Sequence, residues 1–283
     1  MKMLFLSMLL INFLFAQENT IMKRNDKLII GIGPWVEPKT LIESYKPLVK
    51  YLQKNLNIEV EFLVTKDYSQ LGRRILDKSV DIGLFSPVSY VEAKKRNPSL
   101  IYLATTLRTN DVGKLIDYYS SYIITHKDSK DKKLEDFKGK KFAFTDFSSS
   151  SGYVYPSIYL KQQNIKPREF FSQVLMLKKH SKVCEAIARK KIDLGATYDD
   201  AFNSSNIKFN NSLVILVESG KIPFDALAAG DHVDKDIIKR ISILLLEYKG
   251  KKDIVNGVSI PEGFAIRDDK FYDIVREAII AAK

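Results

Sequence analysis

Cysteine is almost absent from this sequence: of 283 residues, only Cys184 carries a thiol. One thiol excludes an intrachain disulfide, and no C-x-x-C pair exists to hold zinc. Histidine is nearly as scarce. His126, His180 and His232 stand far apart without an H-x-x-x-H pair, so neither a metal nor a cofactor is expected. The nucleotide-binding glycine motifs are missing too. Gly31-Ile32-Gly33 lacks the rest of a dinucleotide fingerprint, and no P-loop lysine motif occurs. The serine run near residue 150 lacks the leading glycine of a G-x-S-x-G elbow, although serine, histidine and aspartate leave a hydrolytic triad conceivable.

Long apolar runs are also rare. The only one is MLFLSMLLINFLF over 3–15, behind Lys2 and ahead of Ala16 and the polar Gln17-Glu18-Asn19. It is short for a membrane span and has the flanks of a signal peptide, which predicts a segment 1–16 and export to the periplasm. Leu14 is larger than a signal peptidase prefers at that place, so an uncleaved anchor fits the same residues. No cysteine follows to carry a lipid.

What remains is ordinary globular composition, with 45% hydrophobic and 28% charged residues. The formal net charge is +11. The lysines are spread along the chain and interleaved with acids, as on a solvated surface, which speaks against nucleic acid as a partner. Buried-type strands alternate with amphipathic helices. Strands are expected over 28–33, 59–64, 82–85 and 100–105, with helices over 41–56, 68–77 and 89–96 between them. A second run starts near Tyr119: strands over 119–125, 141–145, 174–176, 194–197 and 213–217, and helices over 152–163 and 181–190. Helices over 235–247 and 268–282 return to the first half. This predicts an α/β architecture of two units, 27–118 plus 226–283 and 119–225, each a mainly parallel sheet flanked by helices.

The most informative segment is Thr145-Asp146-Phe147-Ser148-Ser149-Ser150-Ser151-Gly152-Tyr153. A buried strand ends, four serines follow and a helix begins. Serine caps helices, and the backbone N–H groups of a helix start point outward beside the hydroxyls. The result is a neutral nest of donors suited to an oxyanion, favoured further by the helix dipole. A plain N-cap with surplus serines fits the same pattern. His180 opens another expected helix and has a donor to offer. Asp199 and Asp200 follow a strand end, where ligands collect in α/β sheets. Asp225 follows Pro223 at a suspected crossover; any of the three also fits a turn aspartate. Tyr68, Tyr90 and Tyr119 are equally compatible with the core.

These residues resemble a known family, the phosphate/phosphite/phosphonate substrate-binding proteins of ABC transporters, the PhnD-like group. The resemblance runs from the opening strand and Pro34 through Tyr45-Lys46-Pro47-Leu48 and Lys66-Asp67-Tyr68. It continues through 80–87, Ser89-Tyr90, the serine run with Pro156 and Tyr159, His180, 192–197, Asp200 and 222–225. It implies a type II periplasmic binding fold with two lobes joined by two crossover strands. By the same resemblance Ser149, Ser150, Ser151 and His180 hold phosphoryl oxygens. Tyr68, Tyr90 and Tyr119 fall on the ligand side, and Asp200 and Asp225 take the places of acids that bind the amine of aminoalkylphosphonates. The sequence departs from the family at Ser148, often asparagine, and at Asp200, glutamate in some members.

The implied protein is a monomeric receptor, not an enzyme. It would capture a small phosphorus oxyanion, with 2-aminoethylphosphonate one expected ligand, for an ABC permease in the inner membrane. Two alternatives are an enzyme of the same fold acting on a phosphate ester, with His180 as its acid or base, and a sensor reporting to a separate kinase.

Overall fold

The computed structural model describes residues 27–110, 112–251, 254–255 and 258–282. The expected export segment and its cleavage after Ala16 lie outside these residues. In chain order the elements are β1 (Lys27–Ile32), α1 (Pro38–Leu56), β2 (Glu59–Val64), α2 (Tyr68–Leu76), β3 (Ile82–Phe85), α3 (Pro87–Arg96), β4 (Ile101–Thr109) and β5 (Leu115–Ile116). Then come β6 (Tyr118–His126), β7 (Lys141–Phe144), a π turn (Ser150–Val154), α4 (Tyr155–Gln162), α5 (Pro167–Phe170), β8 (Gln173–Met176), α6 (His180–Ala188), β9 (Leu194–Tyr198), α7 (Asp199–Lys208) and β10 (Leu213–Pro223). The chain ends with β11 (Ala226–Ala229), α8 (Lys235–Glu247), the paired β12 (Ile254–Val255) and β13 (Val258–Ser259), β14 (Gly263–Ala265) and α9 (Asp273–Ala281).

Two sheets result. The first runs β14-β4-β11-β3-β1-β2 with β5 beside β4, and the second runs β10-β6-β9-β7-β8. Helices cover them as the apolar spacing dictates. In α1 the buried Leu41, Tyr45, Leu48, Leu52 and Leu56 recur every three or four residues and meet Leu28, Ile30 and Ile32 of β1. Asn57 then stops α1 in the left-handed region, at φ 57°. Asp67 caps α2 by accepting from the Gln70 backbone N–H at 2.8 Å. In the second sheet Ile123, Phe142, Phe144 and Leu194 pack against Leu160 and Phe171.

The α/β prediction is correct, but each sheet is mixed rather than mainly parallel. The β1–β2, β1–β3, β7–β8 and β7–β9 ladders are parallel. The strands next to the crossovers run antiparallel: β11 to β3 and β4, and β6 to β9 and β10. The cause is topological. A chain that leaves a sheet and returns from the other one enters it in the opposite direction, without a βαβ loop.

The chain passes between the sheets twice, between Ile116 and Tyr118 and between Pro223 and Ala226. The two passages lie side by side, with the Phe224 N–H donating to the Asp117 carbonyl at 2.8 Å. Residues 226–229 carry only alanine and leucine, yet form a fully buried strand between β3 and β4.

Candidate functional site

A cavity of about 50 Å³ lies between the sheets, beside the two passages. From the first sheet and its loops it is faced by Trp35, Tyr45, Tyr68, Ser86, Thr106 and Arg108. From the second it is faced by Tyr119, Ser149, Ser150, Ser151, His180 and Tyr198, and from the second passage by Asp225.

The serine turn is built from the end of β7. The Asp146 carboxylate accepts from the Ser148 N–H at 3.0 Å and sets the turn. The Ser149 hydroxyl then accepts from the Gly152 N–H at 3.1 Å. The helix opens with a π turn, in which the Val154 N–H reaches back to the Ser149 carbonyl at 3.1 Å. Gly152 is required here, because a Cβ would run into the Thr145 side chain. All three cavity serines are buried. The Ser150 hydroxyl accepts from the Val88 N–H of α3 at 3.0 Å, which ties the turn to the first sheet.

His180 is the first residue of α6 and only 2% exposed. Its Nδ1 lies 3.2 Å from the Thr197 hydroxyl, and its Nε2 lies 3.5 Å from the Ser149 hydroxyl. A Thr197 hydroxyl that donates to Nδ1 leaves the ring proton on Nε2, on the Ser149 side. Burial pushes the imidazole down to about 3, so the ring is neutral at physiological pH. It can donate one hydrogen bond to an anion without bringing a charge.

Tyr119 stacks on Phe224 with ring centroids 5.4 Å apart and meets Tyr198 edge-on. Burial and the neighbouring Asp225 hold its phenol protonated, and the Ser151 and Ser150 hydroxyls lie within reach of it. Tyr68 is likewise buried and protonated. Burial drives the Asp225 carboxyl up to about 7, with Arg108 pulling the other way. The lining therefore offers many neutral donors, one carboxyl poised near neutrality and one cation, Arg108.

Residues 30–272 match the family described as ABC transporter, phosphonate, periplasmic substrate-binding protein. The chain belongs to this family. Similar proteins include the phosphate-import protein PhnD of Mycolicibacterium smegmatis. It is 24% identical over 261 residues, which cover 88% of this chain and 81% of the relative. Among solved structures, a binding protein component of an ABC phosphonate transporter from Pseudomonas aeruginosa superposes with TM-score 0.80 at 21% identity. That match covers 92% of this chain and 87% of the other. PhnD1 from Prochlorococcus marinus, in complex with methylphosphonate, gives TM-score 0.75 at 19% identity and covers 89% and 97%. The fold is thus the type II periplasmic binding fold, and the relatives are transport receptors rather than enzymes.

In this binding protein the cleft gathers seven of the residues singled out from sequence: Tyr68, Tyr119, Ser149, Ser150, Ser151, His180 and Asp225. Tyr90 is not among them. Its ring is fully buried against Phe85, Tyr102 and Tyr272, and its hydroxyl donates to Asp269 at 2.6 Å, so it belongs to the core of the first half. Asp200 differs too. It sits at the start of α7, but its carboxylate is engaged by the Arg108 guanidinium. Arg108 itself was missed, because β4 extends to Thr109 through residues too polar to read as strand. The available signal was alternation: Thr106 and Arg108 stand two apart and share the cleft face of the strand. Trp35, Tyr45, Ser86 and Tyr198 also line the cavity and were not singled out as site residues from sequence.

Proposed function

We propose that this binding protein captures a compact phosphorus oxyanion, of the phosphite, phosphate or methylphosphonate class, and delivers it to an ABC permease at the inner membrane. The observation that carries this reading is the serine turn. Three buried hydroxyls and the backbone donors of a helix start converge with a neutral imidazole on one small cavity. The division into lobes at 119 and 225 goes with this reading, as does export of a monomer by the leading apolar segment.

Asp225 supports phosphorus over sulfur. A phosphorus oxyanion near neutral pH can keep one proton and donate it to a carboxylate. A sulfonate has none to give and meets repulsion from Asp225 whenever that carboxyl is ionised. The expected role of Asp200 as an acceptor for a ligand amine is weakened, because Arg108 already neutralises it. An amine-bearing ligand such as 2-aminoethylphosphonate remains the second reading, resting on Asp225.

A thermal-shift series with phosphate, phosphite, methylphosphonate, 2-aminoethylphosphonate and sulfate tests this, since a tight ligand raises the melting temperature by mass action. Replacing Ser149, Ser150 or Ser151 with alanine should weaken binding by about 0.5–3 kcal/mol each in calorimetry. No stabilisation by any phosphorus oxyanion, or full affinity in all three variants, rejects the reading.

A further inference from the structure

Arg108 and Asp200 come from opposite sides of the cleft. Arg108 is on β4 of the first sheet, and Asp200 is the second residue of the helix that follows β9 of the second. Their ion pair is shielded, with side chains 19% and 27% exposed. The guanidinium also lies 4.2 Å above the ring of Phe224, in the second passage. Two further carboxylates feel the same cation. Asp199 accepts from the Ser120 N–H at 3.0 Å; burial raises both Asp199 and Asp225, and Arg108 draws each back toward its charged form. Among the described residues facing the cavity, Arg108 is the one that is always a cation.

This arrangement has a consequence for the ligand. Asp225 on the cavity wall and Asp199 and Asp200 behind it, where ionised, repel an anion or call for a cation. A ligand could bring that cation as an ammonium group, but here the chain brings its own. Resting on the proposal that the ligand is a phosphorus oxyanion, we infer that Arg108 is the specificity-determining residue of the cleft. It occupies the acidic wall as a built-in counter-ion and so selects compact oxyanions over those that carry an amine. An ammonium entering the cleft must either lie beside a fixed guanidinium or break the Arg108–Asp200 pair that joins the two sides. Both are costly in a dry site.

The experiment is calorimetry on the purified full chain and two variants, with methylphosphonate and 2-aminoethylphosphonate as probes. The wild type should bind methylphosphonate at least about tenfold more tightly than the amine-bearing probe. Arg108→Gln should narrow that ratio by about tenfold or reverse it, chiefly by improving the amine-bearing probe, because Asp200 is then free. Arg108→Lys, which keeps the charge, should hold the ratio closer to the wild type. Wild-type binding of 2-aminoethylphosphonate equal to or tighter than that of methylphosphonate overturns the inference. So does an equal loss for both probes in Arg108→Gln, which would make Arg108 a plain ligand contact or a mere tie. If neither probe nor phosphate nor phosphite binds the wild type, the proposed function falls, and this inference falls with it.

Discussion

His180 and Asp225 face the same cavity, and burial drives both toward the neutral form, in opposite directions on the pH scale. The signs follow by linkage. His180 is pushed from 6.5 down to about 3, so its contribution to stability is present above 6.5 and fades as pH falls toward 3. Asp225 is raised from 3.8 to about 7, so its contribution is full below 3.8 and is lost as pH rises through 7. Above that the folded protein carries a poorly solvated carboxylate. Asp225→Asn removes this penalty. In phosphate-free buffer without ligand, the melting temperature of the variant relative to wild type should rise by a few degrees, roughly, between pH 5 and pH 8. A difference that stays flat across that range would show that the carboxyl is not raised. At this scale the sequence was legible where chemistry is local. A serine run at a strand end and a histidine opening a helix advertise themselves. Arg108 and Asp200 did not, because their meaning arises only when two distant segments meet. Tyr90 misled for the same reason in reverse: a tyrosine near a ligand-side loop turned out to face Tyr272 and Asp269, residues nearly two hundred positions along the chain.

Elements with a strong apolar period were placed almost to the residue. The strand Glu59–Val64, the strand Ile82–Phe85 and the helix Lys235–Glu247 came out as expected. Two of the elements that escaped did so for clear physical reasons. Helix α7 is DDAFNSSNIK, with only Ala201, Phe202 and Ser205 buried, so it has no apolar stripe to read. Strand β11 is ALAA, poor in the branched residues strands favour; it forms because small side chains fit between β3 and β4. The element most exposed to a single change is the serine turn. Thr145 backs Gly152, its own N–H donates to the Gly152 carbonyl at 3.0 Å, and its carbonyl accepts from the Lys178 N–H at 2.9 Å. Gly152→Ala places a methyl group where Thr145 already sits. The rigid strand end cannot yield, so the turn must move and carry Ser149, Ser150 and Ser151 with it. Affinity should fall by more than in any single serine variant, and stability by about 1–3 kcal/mol, the usual range for overpacking. Calorimetry and a denaturant melt read the two effects separately. Unchanged affinity in Gly152→Ala would mean that the turn does not hold the ligand.

For the whole molecule the question is how a ligand reaches a cavity that lies between two sheets. Several ties cross the cleft besides the Arg108–Asp200 pair. The Val88 N–H donates to Ser150, the Ser148 hydroxyl donates to Glu92 at 3.1 Å, and Lys179 pairs with Glu37 at 2.7 Å. The His180 N–H also donates to the Trp35 carbonyl at 3.3 Å. If the two halves open to admit a ligand, these bonds are the ones that break. Among the described residues the backbone crosses between the sheets at two adjacent passages near 117 and 224, so rotation about them is the expected opening. The ties are individually weak. The Lys179–Glu37 pair is partly exposed and is worth about 0–1 kcal/mol, and the neutral bonds about 0.5–1.5 kcal/mol each. A bound oxyanion adds contacts that exist only when the serine turn and the first-sheet wall face each other, and so biases the equilibrium toward closure. Small-angle scattering should therefore give a smaller radius of gyration for the ligand-saturated protein than for the ligand-free one. Asp200→Asn should shift the ligand-free protein further toward the open form, because it removes the more shielded of the two cross-cleft ion pairs while leaving the hinge intact. The dissociation rate of a bound oxyanion should rise in the same variant. If scattering curves with and without saturating ligand superimpose for both wild type and Asp200→Asn, the two halves do not move, and the cross-cleft bonds are static packing.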